Sequence, residues 1–487
     1  MYTTKRIDDY RVAVEADGMQ FTLYANKDVF IDNGSFEQLS NVAAIAPTIK
    51  QLNDRGYFGS IPASMGRCVL TPDFHKGGTI PIGTVVEAHG FVSPAMVGSD
   101  IGCGMRLLTT DITVDEYARL GDELDKKLRY IFFEGGRNIA MSAHQRQGMF
   151  RHGIQGLLEE KNAGDGIWRH WHQDQQERDI MRTHLLGCLP TDGIYDLDDF
   201  IRGSGAEFTR DDQIGSIGGG NHFCELQHVE EIYDGGTARA WGIKPKTIAI
   251  MVHTGSVGIG HIIGKVFSDR AKKRYPNDMK HDHPFYLLPA DDVDGLAYRS
   301  AMGNAANFAF ANRLFLGLMV VRAFSECLGR EIETNLVYDA PHNLVWSKHG
   351  RHIHRKGACP APGPSDDADF PSGHPVIIPG SMGSSSFILR GNGSEESLCS
   401  ACHGAGRLAP RQSARRAEIA EFEKLRVVTK IDPKMMRRDI VDEYNKALLE
   451  EAPSMYKNPL PVIETVVGAG IASKVARVWP LMTIKGL

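Results

Sequence analysis

Two thiols and an imidazole stand close together near the C-terminal end of the sequence, where Cys399, Cys402 and His403 form C-x-x-C-H. This is the spacing at which c-type haem is attached, so His403 is a candidate haem ligand. The motif runs on into H-G-A-G-R, and an imidazole on a glycine-rich turn is also a candidate nucleophile towards phosphorus. Arg407 and Arg411 would share one face of a following helix and hold an oligonucleotide phosphate. A structural histidine followed by surface arginines is the third interpretation.

A second set of residues is typical of a metal site. Asp100 and Cys103 lie three residues apart, and the glycines on either side of Cys103 permit the turn that lets both face one ion. His222, His253 and His342 each lie at the end of an apolar, strand-like run, where the chain enters a loop, and loops on a rigid sheet often carry ligands. Any one of them alone reads better as a structural residue. Together, the five predict one or two zinc, manganese or iron ions.

Four glycine-rich segments predict anion binding through successive free backbone N–H groups. They are GSIGGGNH, HTGSVGIGH, PGSMGSSS and HGAGR. Beside the predicted metal ligands they favour a polyphosphate substrate. The G-x-x-x-x-G-K-[ST] phosphate loop does not occur, and no strand–GxGxxG–helix unit is convincing, so the usual nucleotide-binding folds are disfavoured.

The elements that must position these residues are mixed. Apolar spacing predicts helices over residues 36–54, across most of 114–205, over 296–328 and from 411 to 451. Residues 247–264 read as a buried strand, a loop and a helix start, residues 334–346 as a strand then a loop, and the last seven residues as a strand. No linker or repeat divides the chain. We therefore predict a mixed α/β (α+β) fold with central sheets flanked by helices, in one domain over residues 1–487.

Composition narrows the class of protein. The chain has 487 residues, of which 42% are hydrophobic and 24% charged, as in ordinary globular enzymes. A net charge of −5 means that any nucleic-acid contact requires a local basic patch. The N-terminus has no apolar leader, no run is long enough to span a membrane, and the eight cysteines are dispersed. These features predict a cytoplasmic protein without a disulfide framework.

In combination, the motifs resemble those of the RtcB family of RNA-splicing ligases, in the family's order and over roughly residues 70–487. They are PDFHKGGTIPIG, SDIGCGMR, GSIGGGNHFCE, HTGSVGIGH, YDAPHN, HRKGA, IPGSMGSSSF, HGAGR and the terminal YK…IKG. The resemblance implies a single RtcB-like catalytic domain. It also implies an enzyme that uses GTP and manganese to join an RNA 3′-phosphate, or an opened 2′,3′-cyclic phosphate, to a 5′-hydroxyl end. In such a reaction His403 is guanylylated, GMP passes to the RNA 3′-phosphate, and the 5′-hydroxyl displaces it.

The same resemblance assigns roles to residues. Asp73 would orient His403. Asp100, Cys103, His222, His253 and His342 would hold two Mn²⁺ ions with Cys103 as the bridge, and how the others divide stays open. The implied nucleotide contacts are Asn221, Glu225, Asn343, Pro379, Gly380, Ser381, Met382, Ser386, Gly404, Ala405, Gly406, Tyr456 and Lys485. Arg407 and Arg411 remain the candidate RNA contacts. The implied partners are GTP, RNA in the form of tRNA halves or broken ends, and an archease-type activator.

The sequence departs from the family pattern at three places. Val257 stands where an arginine is usual, Pro410 where a serine is usual, and WSKHG replaces acidic residues after the HN motif. These departures concern RNA binding more than nucleotide chemistry, and they fit a divergent paralogue. Three other hypotheses stay open: a metal-dependent phosphoesterase that acts on RNA ends without joining them, a haem-bearing redox protein, and an inactive RNA-binding scaffold.

Overall fold

The computed structural model describes residues 2–195, 197, 209–210, 213–279, 286–364, 366, 370–408, 419–431 and 436–486. Among these residues, two large sheets dominate the fold. The mixed α/β class predicted from the sequence is confirmed.

The first sheet has seven strands in the order β1-β2-β3-β4-β5-β15-β14. Their bounds are β1 Tyr2–Arg6, β2 Arg11–Ala16, β3 Met19–Tyr24, β4 Ser64–His75, β5 Ile82–His89, β14 Asn343–Lys348 and β15 Arg351–Lys356. All neighbours in this sheet pair antiparallel except β3 and β4. The sequence from 343 to 346, which we expected to be a loop, is the first part of β14. It extends because it pairs with β15.

The second sheet has the order β13-β7-β11-β10-β21-β18-β17, with β20 paired to β21. Its strands are β7 Gly104–Thr113, β10 Phe223–Ile232, β11 Thr247–Thr254, β13 Thr334–Pro341, β17 Pro375–Ile378, β18 Ser386–Gly391, β20 Val427–Val428 and β21 Ala472–Ile484. Three two-stranded pairs join β6 Phe91–Val92 to β12 Leu288–Pro289, β8 Ala140–Met141 to β9 Thr209–Arg210, and β16 Ala358–Pro360 to β19 Ser400–Cys402. The expected C-terminal strand is confirmed as the end of β21.

Helices pack on these sheets. They are α1 Asn33–Glu37, α2 Leu39–Ala43, α3 Ile45–Asp54, α4 Pro94–Val97, α5 Val114–Phe133, α6 Ala143–Leu158, α7 Gln173–Ile180, α8 Gly235–Ala240, α9 Val257–Arg274, α10 Val293–Leu328, α11 Arg438–Leu449 and α12 Pro459–Gly468. The single helix expected over 36–54 is three short helices. The helix expected from 411 to 451 is present only as α11, and residues 411–418 and 432–435 of that prediction lie outside the described part of the chain.

Helix α10 forms the centre of the main core. It is apolar on all sides, which is typical of a helix enclosed by protein. It begins at the capping residue Asp292 and ends at Gly329, whose left-handed backbone (φ 64°) closes the last turn. Within the described residues it is the one helix long and apolar enough to cross a membrane, and 89% of that apolar window is buried inside the protein. The core helix predicted over 296–328 is therefore confirmed.

Candidate active site

Strand order brings the predicted metal ligands to one edge of the second sheet. Because β7, β10, β11 and β13 are antiparallel neighbours, the first residues of β7 and β10 lie beside the last residues of β11 and β13. Asp100 and Cys103 precede β7, His253 lies in β11, and His342 follows β13. We predicted that His222 lies at the end of a strand. It instead directly precedes the first residue of β10. Its position at the sheet edge is the same either way.

The five side chains form one cluster. The Cys103 sulfur lies 3.3 Å from Nε2 of both His222 and His253. Nε2 of His222 is 2.9 Å from an Asp100 carboxylate oxygen, and Nε2 of His253 is 3.3 Å from Nε2 of His342. The ligand atoms make two triads that share Cys103, one with Asp100 and His222 and one with His253 and His342. This arrangement suits two cations with the thiolate between them.

The chemistry of the donor set fits a divalent transition metal. Burial lowers the pKa of His253 and His342 well below the ordinary histidine value, so both rings are neutral and carry a lone pair on one nitrogen. Two Nε2 atoms directed at each other need a proton or a cation between them. Thiolate and imidazole ligands suit zinc or iron better than calcium or magnesium, and the Asp100 carboxylate also suits manganese.

A buried ion-pair network contacts the backbone next to this cluster. Arg313, on α10, is fully buried and pairs with the buried Asp339 at 2.8 Å. Its guanidinium also donates to the carbonyl oxygens of Gly102 at 2.7 Å and Thr254 at 3.0 Å. These two carbonyls adjoin Cys103 and His253. The side chain therefore fixes the backbone that carries two of the cluster residues.

His403 follows β19 and lies beside the cluster. Its ring centroid is 4.6 Å from that of His342 and 6.5 Å from that of His253. Asp73, completely buried in β4, accepts a hydrogen bond from Nδ1 of His403 at 2.6 Å and another from Thr71 at 2.5 Å. Burial alone would raise the pKa of Asp73, but the charge and hydrogen bond of His403, with the Thr71 bond, hold it below its usual value. An ionised Asp73 keeps the proton on Nδ1 and leaves the lone pair on Nε2.

Two glycines permit this contact. Gly406 has φ +80°, and a Cβ there would lie 2.4 Å from the backbone oxygen of Asp73. Gly357 has φ +68°, and a Cβ there would lie 2.8 Å from the His403 ring. The last glycine of H-G-A-G-R thus lets the turn approach the strand that carries Asp73.

A cavity of about 1030 Å³ opens over both His403 and the cluster. Most predicted nucleotide contacts line it: Asn221, Glu225, Asn343, Pro379, Gly380, Ser381, Met382, Gly404, Ala405, Gly406, Tyr456 and Lys485. Ser386 does not. It is buried behind the wall, where its hydroxyl accepts hydrogen bonds from Gln227 and from the backbone of Gly380.

One end of the cavity carries a buried carboxylate. Glu225 accepts hydrogen bonds from Thr483 and Gln227, each at 2.6 Å. Burial nevertheless raises the pKa of Glu225 to about 7. Lys485, nearby, donates to the Gly220 carbonyl at 2.5 Å and lies 3.6 Å from Glu451. A polar ring or amide that entered here would meet a carboxylate whose charge changes near neutral pH.

Arg407, one of the two predicted RNA contacts, does not lie on the predicted helix. Arg407 is not helical but forms an isolated antiparallel bridge with Tyr456. Its guanidinium donates to Glu451 and to the Glu450 carbonyl and lies over the Tyr456 ring. The prediction that Arg407 lies on a helix face is therefore wrong, because the Glu451 carboxylate holds the Arg407 guanidinium in the cavity wall. Arg411 lies outside the described residues.

Sequence reasoning missed several buried ionic groups. Glu451 holds Arg407 and also accepts a hydrogen bond from the Tyr456 hydroxyl. Lys457 donates to the Phe74 carbonyl at 2.8 Å, and burial lowers its pKa to about 8. Lys356, inside the HRKGA motif, lines the cavity, and burial lowers its pKa to about 8 as well. Charged residues in helical or strand patterns read as surface residues, so only the motifs around Lys356 (HRKGA) and Lys457 (YK) gave any signal.

Cys402 of the C-x-x-C-H segment lies in a packed apolar core. Cys402 is fully buried in an apolar cluster that includes Cys359 and Phe387, and it is not accessible to a haem edge. All eight cysteines are free thiols. The geometry of His403 beside Asp73 favours a nucleophile or base over a haem ligand.

Comparison with known proteins agrees with this geometry. The model of the family described as tRNA-splicing ligase RtcB matches residues 57–486. A tRNA-splicing ligase RtcB of Thermococcus kodakarensis is 32% identical over 454 residues, which covers 88% of this chain and 89% of the relative. That of Nanoarchaeum equitans is 33% identical over 465 residues, with the same coverage. The RNA-splicing ligase RtcB of Mycobacterium tuberculosis is 32% identical over 453 residues, 88% of this chain and 98% of the relative. With its motifs, its site geometry and these relatives in agreement, the chain belongs to the RtcB family.

Proposed function

We propose that this protein is an RNA ligase that joins RNA 3′-phosphate or 2′,3′-cyclic phosphate ends to 5′-hydroxyl ends, in tRNA splicing or RNA repair. The observation that carries the proposal is the His403–Asp73 pair, which lies beside the metal-type cluster in one cavity. A phosphoesterase could use the cluster alone. It would leave the imidazole that Asp73 orients beside the cluster without a role, so the ligase is favoured.

We propose GTP as the co-substrate and His403 as the residue that takes up GMP. Nε2 of His403 attacks the α-phosphorus, a P–N bond forms, and the bond to pyrophosphate breaks. Asp73 keeps the attacking nitrogen unprotonated and holds the ring in place. GMP then moves to the RNA 3′-phosphate and leaves when the 5′-hydroxyl attacks. Two manganese ions at Asp100, Cys103, His222, His253 and His342 would neutralise phosphate charge during these transfers.

We place the guanine at the Glu225 end of the cavity. An ionised Glu225 would accept hydrogen bonds from N1–H and the exocyclic amino group, and the Tyr456 ring would pack on the base. Pro379 to Met382 and Gly404 to Gly406 offer backbone groups for the ribose and phosphates. Ser386 would position this wall through Gly380 without touching the nucleotide. Within the proposal, residues 1–487 form one catalytic domain, and an archease-type protein is the expected activator.

Joining of defined RNA ends tests this proposal. The purified protein is mixed with a 3′-phosphate RNA, a 5′-hydroxyl RNA, GTP and Mn²⁺, and the products are separated by size. We expect a joined product that requires both GTP and Mn²⁺. Release of inorganic phosphate without joining would instead identify a phosphoesterase.

The raised pKa of Glu225 predicts how guanine binding depends on pH. Since the carboxylate must be ionised to accept from guanine, and its pKa is about 7, GTP affinity should be constant above pH 7. Below pH 7 the KM for GTP should rise about tenfold per pH unit. The measurement is KM for GTP between about pH 5.5 and 8.5. Glu225→Gln should bind GTP weakly with little change over this range, and an unchanged profile in that variant would contradict the assignment.

A further inference from the structure

The cavity that holds His403 and the cluster is also lined by residues around α9. They are the loop residues Gly98 and Ser99 and three side chains of α9, His261, Lys265 and Ser268. The steps proposed above use none of them. His261 also lines a smaller cavity of about 320 Å³ on the other side of Asp100 and His222, so α9 borders the cluster from both directions.

The position of α9 is fixed by two glycines. A Cβ at Gly260 would lie 2.7 Å from the Ser99 carbonyl oxygen, and one at Gly264 would lie 3.4 Å from the Ser99 Cα. Ser256, at the N-terminus of the helix, donates to the Ile101 carbonyl at 2.6 Å. The helix therefore packs directly on the loop that carries Asp100. Residues 261, 265 and 268 follow at i, i+4 and i+7, so they share the neighbouring face, which borders the cavity.

This face carries a lysine and an imidazole. His261 and Lys265 are exposed, and no ion pair joins either of them to another described residue. Lys356 stands across the Gly98 loop, since a Cβ at Gly98 would lie 3.7 Å from its Nζ. Because residues 98, 99 and 264 are glycine, serine and glycine, there is room for the backbone of a bound chain between Lys265 and Lys356. Asp100, the acidic residue that lines both cavities, belongs to the cluster.

We propose that His261 and Lys265 bind the phosphodiester backbone of the RNA strand that leads to the reacting end. The inference rests on the proposed function and adds where the RNA lies: along α9, against a part of the cavity wall that the proposed GTP site does not use. Lys265 and His261 lie one helical turn apart, about 6 Å along the axis, so the ammonium and the imidazole N–H can contact neighbouring phosphates of a regularly spaced chain. Val257 lies one helical turn before His261 on the same side of α9. It lines the smaller cavity and contributes no charge there.

Lys265→Gln tests the inference by RNA binding. Fluorescence anisotropy with a short labelled single-stranded RNA that ends in a 3′-phosphate gives Kd at several salt concentrations. We expect Kd to rise about tenfold, and the slope of log Kd against log salt to become shallower by about 0.7, the value for one phosphate contact on a single strand. Lys265→Arg should restore most of both. Lys244→Gln is the matched control, because Lys244 is an exposed lysine that precedes β11, at the opposite end of that strand from His253, and does not line the cavity.

A steady-state assay separates RNA from GTP as the occupant. With Lys265→Gln, the KM for RNA should rise about tenfold, whereas the KM for GTP should change less than about twofold. A rise in the KM for GTP alone would overturn the inference and place the triphosphate tail on α9. So would an unchanged Kd and salt slope in Lys265→Gln and His261→Gln, or wild-type protein that fails to bind the RNA at low salt. Binding that depends on Lys265 without any joining would contradict the proposed function and leave this inference standing.

Discussion

His403→Ala is expected to reduce RNA joining by at least about 10⁴-fold, because the variant lacks the atom that forms the bond to phosphorus. His222 also has a carboxylate 2.9 Å from one ring nitrogen, but that nitrogen belongs to the metal-type cluster. The measurement is the initial rate of joined product with saturating GTP and Mn²⁺. Residual joining within about tenfold of wild type would mean that another group takes up the nucleotide.

Two controls show whether the lost joining activity results from the missing nucleophile or from disrupted packing. Manganese binding by His403→Ala, measured by calorimetry, should stay close to wild type because His403 is not one of the five cluster residues. Asp73→Asn keeps the shape of the site but removes the charge that fixes the proton on Nδ1. It should lower the rate by about 10²–10⁴-fold, less than the loss of His403 itself. Equal losses in both variants would indicate disrupted packing instead.

Arg313→Met is expected to destabilise the protein by about 3–5 kcal/mol, the usual cost of removing one partner of a buried ion pair. Asp339 would keep only its contact with Arg106, at 3.3 Å, and the carbonyls of Gly102 and Thr254 would each lose a charged donor. The midpoint of urea unfolding should fall accordingly. Because those carbonyls adjoin Cys103 and His253, Mn²⁺ affinity should fall as well.

Arg55→Met is the matched control for this effect. Arg55 makes an equally short, two-bonded pair with Asp278, but both side chains are largely exposed. Exposed pairs contribute about 1 kcal/mol or less. A similar loss of stability in Arg55→Met and Arg313→Met would show that the buried network does not have the structural role assigned to it.

The strongly periodic parts of the fold were predictable from the sequence. Helix α10 is so uniformly apolar that it had to be a core helix, and the strand and helix on either side of residues 255–256 follow directly from the change in pattern. The region from 36 to 54 was not predictable as three helices, because the breaks near residues 38 and 44 involve ordinary helix-forming residues. Their position is set by packing on the first sheet.

The site was predictable only where residue type and motif coincide. Cys103 and the three histidines stand out because thiols and imidazoles next to glycine-rich loops are rare. Their convergence required the strand order of the second sheet, which periodicity does not give. Glu451 and Arg313 escaped notice because a charged residue in a helical pattern predicts a solvated face. Only the fold shows that Arg313 lies at 0% exposure beneath the cluster.

Covalent labelling tests the central claim most directly. The protein is incubated with α-labelled GTP and Mn²⁺, denatured, and digested so that the labelled peptide can be identified. Uptake of GMP by His403 predicts an acid-labile label on the peptide that contains this residue, and no label in His403→Ala. An unlabelled wild-type protein, or a label that persists in His403→Ala, would contradict it.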